Sequence, residues 1–236
     1  MTPATPPATS PAGPPAGLAA VSAQIFGDRL PVAQRYAELL ATTGVARGLI
    51  GPREAPRLWE RHLLNCAVLG ELLPPGGTVI DVGSGAGLPG VVLAIARPDL
   101  SVTLLEPLAR RVTFLDEVVA ELGLTGVAVV RGRAEESVGR ISASVVTARA
   151  VAPLDRLAGW CLPLVAQGGR LLAMKGSTAA EEIAEYAPAI RRAGGGPARI
   201  VECGKGVVDP PTTVVEVPLV GTPARGGGRQ KGQRKR

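Results

Sequence analysis

The segment Thr78-Val79-Ile80-Asp81-Val82 runs into Gly83-Ser84-Gly85-Ala86-Gly87-Leu88-Pro89-Gly90, and this junction constrains the fold more than any other part of the chain. A short β-branched run reads as a strand, and clustered glycines read as a turn that needs unusual backbone angles. The apolar run Pro89–Ala96 then reads as a helix, with Pro89 placed in its first turn. Similar strand–helix units follow. Ser101–Leu105 is a strand, and the helix after it carries Leu108, Val112, Leu115, Val119 and Leu122 at spacings of 4, 3, 4 and 3, closed by Gly123. Val127–Val130, Ala143–Thr147 and Arg170–Met174 are further strands, separated by helical stretches at 153–165 and 179–193. Strands near 199–203 and 212–219 have only a loop between them, which predicts an antiparallel hairpin at one edge. The expectation is an α/β chain built on a mostly parallel, doubly wound sheet.

The organisation ahead of this region is helical. Leu30–Leu40 is one predicted helix, broken by the stretch Gly44 to Gly51. A second spans about Ala55–Leu73, with Trp59, Leu63, Cys66 and Leu73 on one stripe, and Pro74-Pro75-Gly76-Gly77 ends it. Pro, Ala, Thr and Ser dominate the first twenty positions, which reads as an extended tail. The expected division is a tail at 1–23, a helical extension at 24–76, the main domain at 77–220 and a second tail at 221–236. With 46% hydrophobic residues a substantial core is expected, and with 3% aromatic residues a stack of aromatic binding platforms is not. No apolar run reaches membrane-spanning length, and six prolines in the first twenty positions disrupt any secretory leader. Three widely spaced cysteines, Cys66, Cys161 and Cys203, form neither a disulfide framework nor a metal motif. The reading is a soluble, cytoplasmic chain with no membrane and no metal.

Two registers compete for the glycine turn. Gly85-Ala86-Gly87-Leu88-Pro89-Gly90 matches the G-x-G-x-x-G pattern of dinucleotide-binding proteins. The alternative, Asp81 at the strand end followed by Gly83, Gly85 and Gly87, resembles the first motif of S-adenosylmethionine-dependent methyltransferases. A carboxylate at Asp81 opposes a pyrophosphate but can help hold the amino group of a methionine moiety, directly or through water. Glu106, 19 positions after Gly87, closes the second strand, where a carboxylate can accept hydrogen bonds from both ribose hydroxyls. The alternative for Glu106 is an ordinary surface acid.

Beyond the turn, Leu104-Leu105-Glu106, Arg110-Arg111-Val112-Thr113-Phe114-Leu115, Arg133-Ala134-Glu135-Glu136, Arg149-Ala150, Arg61-His62-Leu63-Leu64-Asn65 and Met174-Lys175-Gly176 complete a pattern over about residues 25–218. Together they resemble the RsmG (GidB) family of bacterial small-subunit ribosomal RNA guanine-N7 methyltransferases. The resemblance implies a Rossmann-like class I methyltransferase fold and S-adenosylmethionine as cofactor. It implies methylation of N7 of a guanosine (guanine 527) in the 530 loop of 16S ribosomal RNA, free or in the small-subunit particle. Cofactor contacts would fall on Gly83, Leu88, Ala134, Glu135 and Arg149. Arg149, which follows the fourth strand beside the departing methyl group, is the catalytic candidate. Where many family members carry an Asn-Leu-Thr segment, this chain reads Gly48-Leu49-Ile50-Gly51, so no catalytic role is assigned there.

Transfer to guanine N7 uses a free lone pair, so it demands positioning and tolerance of developing positive charge, and no general base. His62, the only histidine, is therefore read as structural or RNA-orienting. Pyrimidine carbon-5 methylation needs a nucleophilic cysteine, whereas Cys66 and Cys161 read as core. Asp209-Pro210-Pro211-Thr212 imitates an adenine amino-methylation turn but precedes the last strand and lacks the aromatic, so it reads as a plain loop.

The formal charge of +6 is unevenly placed. Six basic residues and no acid lie from Arg225 onward, which leaves the body neutral. Arg229, Lys231 and Arg234 in this tail are candidates for RNA phosphate contacts, with a solubilising extension as the alternative. Arg110, Arg111, Arg131, Arg133 and Lys175 are the candidates nearer the methyl donor. Two rival functions remain at this level: an NAD-dependent dehydrogenase and a non-catalytic RNA-binding protein on a methyltransferase scaffold.

Overall fold

The computed structural model describes residues 13–149 and 152–221. Its centre is a seven-stranded sheet in the order β3-β2-β1-β4-β5-β7-β6. The strands are β1 (Thr78–Val82), β2 (Ser101–Glu106), β3 (Val127–Arg131), β4 (Ala143–Arg149), β5 (Val165–Met174), β6 (Arg199–Cys203) and β7 (Thr212–Pro218). The first five pair in parallel, and β7 is antiparallel to both β5 and β6. The doubly wound sheet and the edge hairpin are as the sequence predicts.

The helices are α1 (Ala19–Phe26), α2 (Leu30–Leu39), α3 (Asn65–Ala67), α4 (Gly90–Ala96), α5 (Ala109–Glu121), α6 (Ala134–Ser137), α7 (Leu154–Cys161) and α8 (Ala179–Arg192). Side-chain alternation along the strands sorts them into two layers. Val79, Leu104, Val145, Leu172 and Val214 point to the face covered by α1, α2, α4 and α5. Their neighbours Ile80, Leu105, Val146, Leu171 and Val215 point to the face covered by α6, α7 and α8.

The N-terminal boundary needs correction. Helical backbone begins at Ala16 with a 3₁₀ turn that leads into α1, where Ser22 and Phe26 are buried. Phe26 meets Trp59 edge-on at a ring separation of 6.1 Å. Residues 16–23 thus belong to the packed body and not to an extended tail. The prolines precede this helix and so do not break it. The second predicted helix is a composite: a 3₁₀ turn at Ala55–Arg57, π-helical turns at Trp59–Leu64, α3, and a 3₁₀ stretch at Val68–Leu72. Pro89 caps α4 from outside, and Leu108 precedes α5 with its side chain exposed, so neither sits within the helix expected for it.

Candidate active site

The strand order reverses between β1 and β4, and ligands in open α/β sheets sit beyond the strand ends at such a point. Asp81 pairs in register with Leu104 on one side and Thr147 on the other. The strand stops at Val82 and the turn starts at Gly83, which favours the Asp81-Gly83-Gly85-Gly87 register over the dinucleotide one. Gly83, Gly85 and Gly87 all have positive φ, between 59° and 98°. A Cβ at Gly87 would lie 2.9 Å from the Tyr36 hydroxyl, and one at Gly90 would lie 2.8 Å from Asp81 Oδ2. Glycine is needed at Gly87 for both conformation and space, and at Gly90 for space alone.

Two buried carboxylates brace this turn. Asp81 Oδ2 accepts the Gly90 N–H at 3.0 Å, which ties the strand end to the start of α4. Asp81 Oδ1 is buried with no hydrogen-bond partner among the described residues. Burial pushes the Asp81 carboxyl up to about 7, against the opposing pulls of the Gly90 amide and the Arg149 charge. Glu106 is 1% exposed, so the surface-acid alternative is overturned. Its Oε2 accepts the Gly85 N–H and its Oε1 the Leu108 N–H, each at 3.0 Å, and the Arg111 guanidinium lies 3.6 Å away. Tyr36, which no sequence pattern singled out, is fully buried and donates its hydroxyl to the Ala86 carbonyl at 2.7 Å.

The remaining candidates divide by location. Leu88 is buried in the core beside the turn. Ala134 opens α6 after β3, buried, with Glu135 exposed next to it. Arg149 ends β4 and its Nη1 donates to Cys66 Sγ at 3.6 Å. Burial raises the Cys66 thiol to about 11 and pushes the Cys161 thiol further still, so neither offers a thiolate. Arg110, Arg131 and Arg133 are exposed, and Arg111 is turned toward Glu106. Lys175 is a correction. Its Nζ donates to Glu182 at 2.7 Å and to the Ala152 carbonyl at 2.8 Å, so its charge is paired within the fold and is not a free surface cation. Arg229, Lys231 and Arg234 lie outside the described residues.

Beside Arg149 opens a cavity of about 1170 Å³. Its walls come from the end of β5, the helical run around Arg61-His62 and Asn65, the first turns of the chain's helical start at Gly17–Val21, and the loop Val207–Thr213. The Asp209-Pro210-Pro211-Thr212 segment is therefore part of the site wall, contrary to its reading as a plain loop. Thr212 Oγ1 ties it to the Asn65 carbonyl at 3.2 Å. Most charged side chains of the wall are paired: Arg57 with Glu60, Arg61 with Glu54, Lys175 with Glu182, and Glu202 with Lys205. His62 Nε2 lies 3.0 Å from Glu54. Burial and the Arg149 charge hold the His62 pKa below its ordinary value, although Glu54 opposes them.

Residues 29–209 match the family described as rRNA small subunit methyltransferase G, GidB. The chain belongs to this family. Among its relatives, a Salinispora tropica protein called ribosomal RNA small subunit methyltransferase G is 63% identical over 207 residues, covering 85% of this chain and 86% of that one. A Thermobifida fusca protein of the same name is 59% identical, covering 90% and 95% respectively. In fold, the chain is similar to an S-adenosylmethionine-dependent O-methyltransferase from Thermotoga maritima, with a TM-score of 0.53, 15% identity, and 66% and 65% coverage. Mitomycin 7-O-methyltransferase gives 0.55, 19% identity, and 78% and 60% coverage. As a member of that family the chain is an rRNA methyltransferase with S-adenosylmethionine as its cofactor, so the dehydrogenase and non-catalytic readings fall away. The site chemistry fits that cofactor: a buried carboxylate oxygen without a partner suits a cationic amino group, beside a turn whose glycines admit close backbone approach. No described helix is long and apolar enough to cross a membrane.

Proposed function

We propose that this GidB-family member methylates N7 of a guanosine in the 530 loop of 16S ribosomal RNA, guanine 527, within the small-subunit particle. The observation that carries the reading is the cavity beside Arg149. At about 1170 Å³ it exceeds the ~300–1,000 Å³ of ordinary small-ligand clefts, which suits a base with its attached sugar and phosphate.

Asp81, Gly83, Gly85, Gly87, Leu88, Glu106, Ala134 and Glu135 would hold the cofactor across the ends of β1, β2 and β3. When bound, S-adenosylmethionine supplies an electrophilic methyl group on a sulfonium. The chain's own residues then position the base and exclude water. N7 carries its lone pair in the plane of the ring, so in-line attack needs no proton removed. No part of that step calls on His62, the sole histidine, whose Nε2 lies 3.0 Å from Glu54. Arg149 is the one cation of the cavity wall without a carboxylate partner among the described residues, which suits orientation of an acceptor such as guanine O6 next to N7. Tritiated S-adenosylmethionine with small-subunit particles, followed by mapping of the modified base, tests the proposal. A methyl group found off guanine N7 would overturn it.

A further inference from the structure

Opposite in sign to Arg149, one other charge of the cavity wall lacks a counter-ion among the described residues: Asp209, in the loop between β6 and β7. The other acids that line the cavity, Glu60 and Glu202, each face a basic neighbour at 3.1 and 2.9 Å. The cavity thus offers one unspent guanidinium at the end of β4 and one unspent carboxylate on the β6–β7 loop. Asp209 itself is exposed, while the two prolines that follow it restrict the backbone of its loop and Thr212 Oγ1 ties that loop to the Asn65 carbonyl.

We infer that Asp209 reads the Watson–Crick edge of the target base. The inference rests on the guanine reading above and extends it to specificity. Guanine presents two adjacent donors, N1–H and the N2 amine, which a carboxylate accepts together, and an acceptor, O6, which a guanidinium satisfies. A base held between Asp209 and Arg149 is therefore oriented as well as identified. Adenine is rejected because its N1 lone pair would face the carboxylate without a proton between them. The segment that looks like an adenine-methylation turn serves as a guanine selector.

The test uses the full-length protein and Asp209→Asn, which keeps the shape of the loop. Binding of GMP, IMP and AMP is followed by NMR titration, and methylation of unmodified small-subunit particles is measured in parallel. Wild type should prefer GMP over AMP by about tenfold or more and over IMP, which lacks the N2 amine, by a smaller factor. Asp209→Asn should lose most of both preferences and about tenfold or more in kcat/KM, with the Kd for S-adenosylmethionine and the thermal midpoint unchanged. Equal nucleotide preferences in the two proteins would overturn the assignment to Asp209 even if the methyl group maps to guanine N7. A methyl group mapped elsewhere in the wild-type reaction would overturn the guanine reading itself and this inference with it.

Discussion

Asp81 divides its carboxylate between structure and chemistry: Oδ2 pins α4 through Gly90, while Oδ1 is buried without a partner among the described residues. The folded-state pKa of about 7 lies above the ordinary 3.8, so between those limits the native apo-protein binds more protons than the unfolded chain. Its stability should therefore fall as pH rises through that window, by up to about 1.4 kcal/mol per pH unit from this group. Urea midpoints between pH 5 and 8 will show the slope, and Asp81→Asn should flatten it. Affinity for S-adenosylmethionine should move the other way, tightening as Asp81 ionises to meet the amino group. A cofactor Kd with the same pH dependence in Asp81→Asn would remove Asp81 from the binding set. For Glu106, the two backbone amides it accepts make Glu106→Ala a double loss. Stability should drop by about 2–3 kcal/mol as those donors lose a charged acceptor, and cofactor binding should weaken because the turn loosens. Weaker binding with an unchanged urea midpoint would mean that the carboxylate acts on the ribose alone.

At the scale of elements, the parts that were legible in advance are those coded locally. The period-two alternation of Val79 and Ile80 and of Leu104 and Leu105, and the glycine turn between β1 and α4, follow from steric and solvation rules acting within a few residues. What was not legible depends on partners far away in sequence. Tyr36 reaches Ala86 across 50 positions and Arg149 reaches Cys66 across 83, and neither end announces the other. The same holds for Lys175, whose basic side chain read as surface until Glu182 took its charge, and for Asp209, which only tertiary packing brings to the cavity wall. The helical start at Ala16 was masked by the prolines ahead of it. Its anchor gives a test: Phe26→Ala should cost about 3–5 kcal/mol of stability by thermal or urea unfolding. Because Leu18 and Val21 from the same segment line the cavity, KM for small-subunit particles should rise while the Kd for S-adenosylmethionine stays fixed. A stability change below about 0.5 kcal/mol would mean that α1 is not packed as described.

Across the whole molecule, the charge is separated from the catalytic body. The six cations from Arg225 to Arg236 account for the entire net charge of +6, and in sequence Gly226-Gly227-Gly228 separates five of them from Arg225 and the rest of the chain. Within the folded part, by contrast, the basic residues of the cavity wall other than Arg149 are neutralised by acids beside them, so the wall itself adds little to long-range attraction. Removal of Arg225–Arg236 should therefore weaken RNA binding and flatten its dependence on salt. Each phosphate contact releases a counterion, so the log–log slope should fall by up to about six contacts' worth, some 0.7–0.9 per contact. The Kd for S-adenosylmethionine should not change, since the tail follows β7 and the cofactor turn lies at the ends of β1 and β2. Base choice should also survive, because phosphate contacts fix position and carry no sequence information. The measurement is RNA affinity against salt for full-length and truncated protein, with the methyl group mapped for both. Equal slopes would reduce the tail to a solubilising extension. A methyl group that moves on truncation would show that the tail holds the RNA in register, and the specificity assigned to Arg149 and Asp209 would then have to be shared with it.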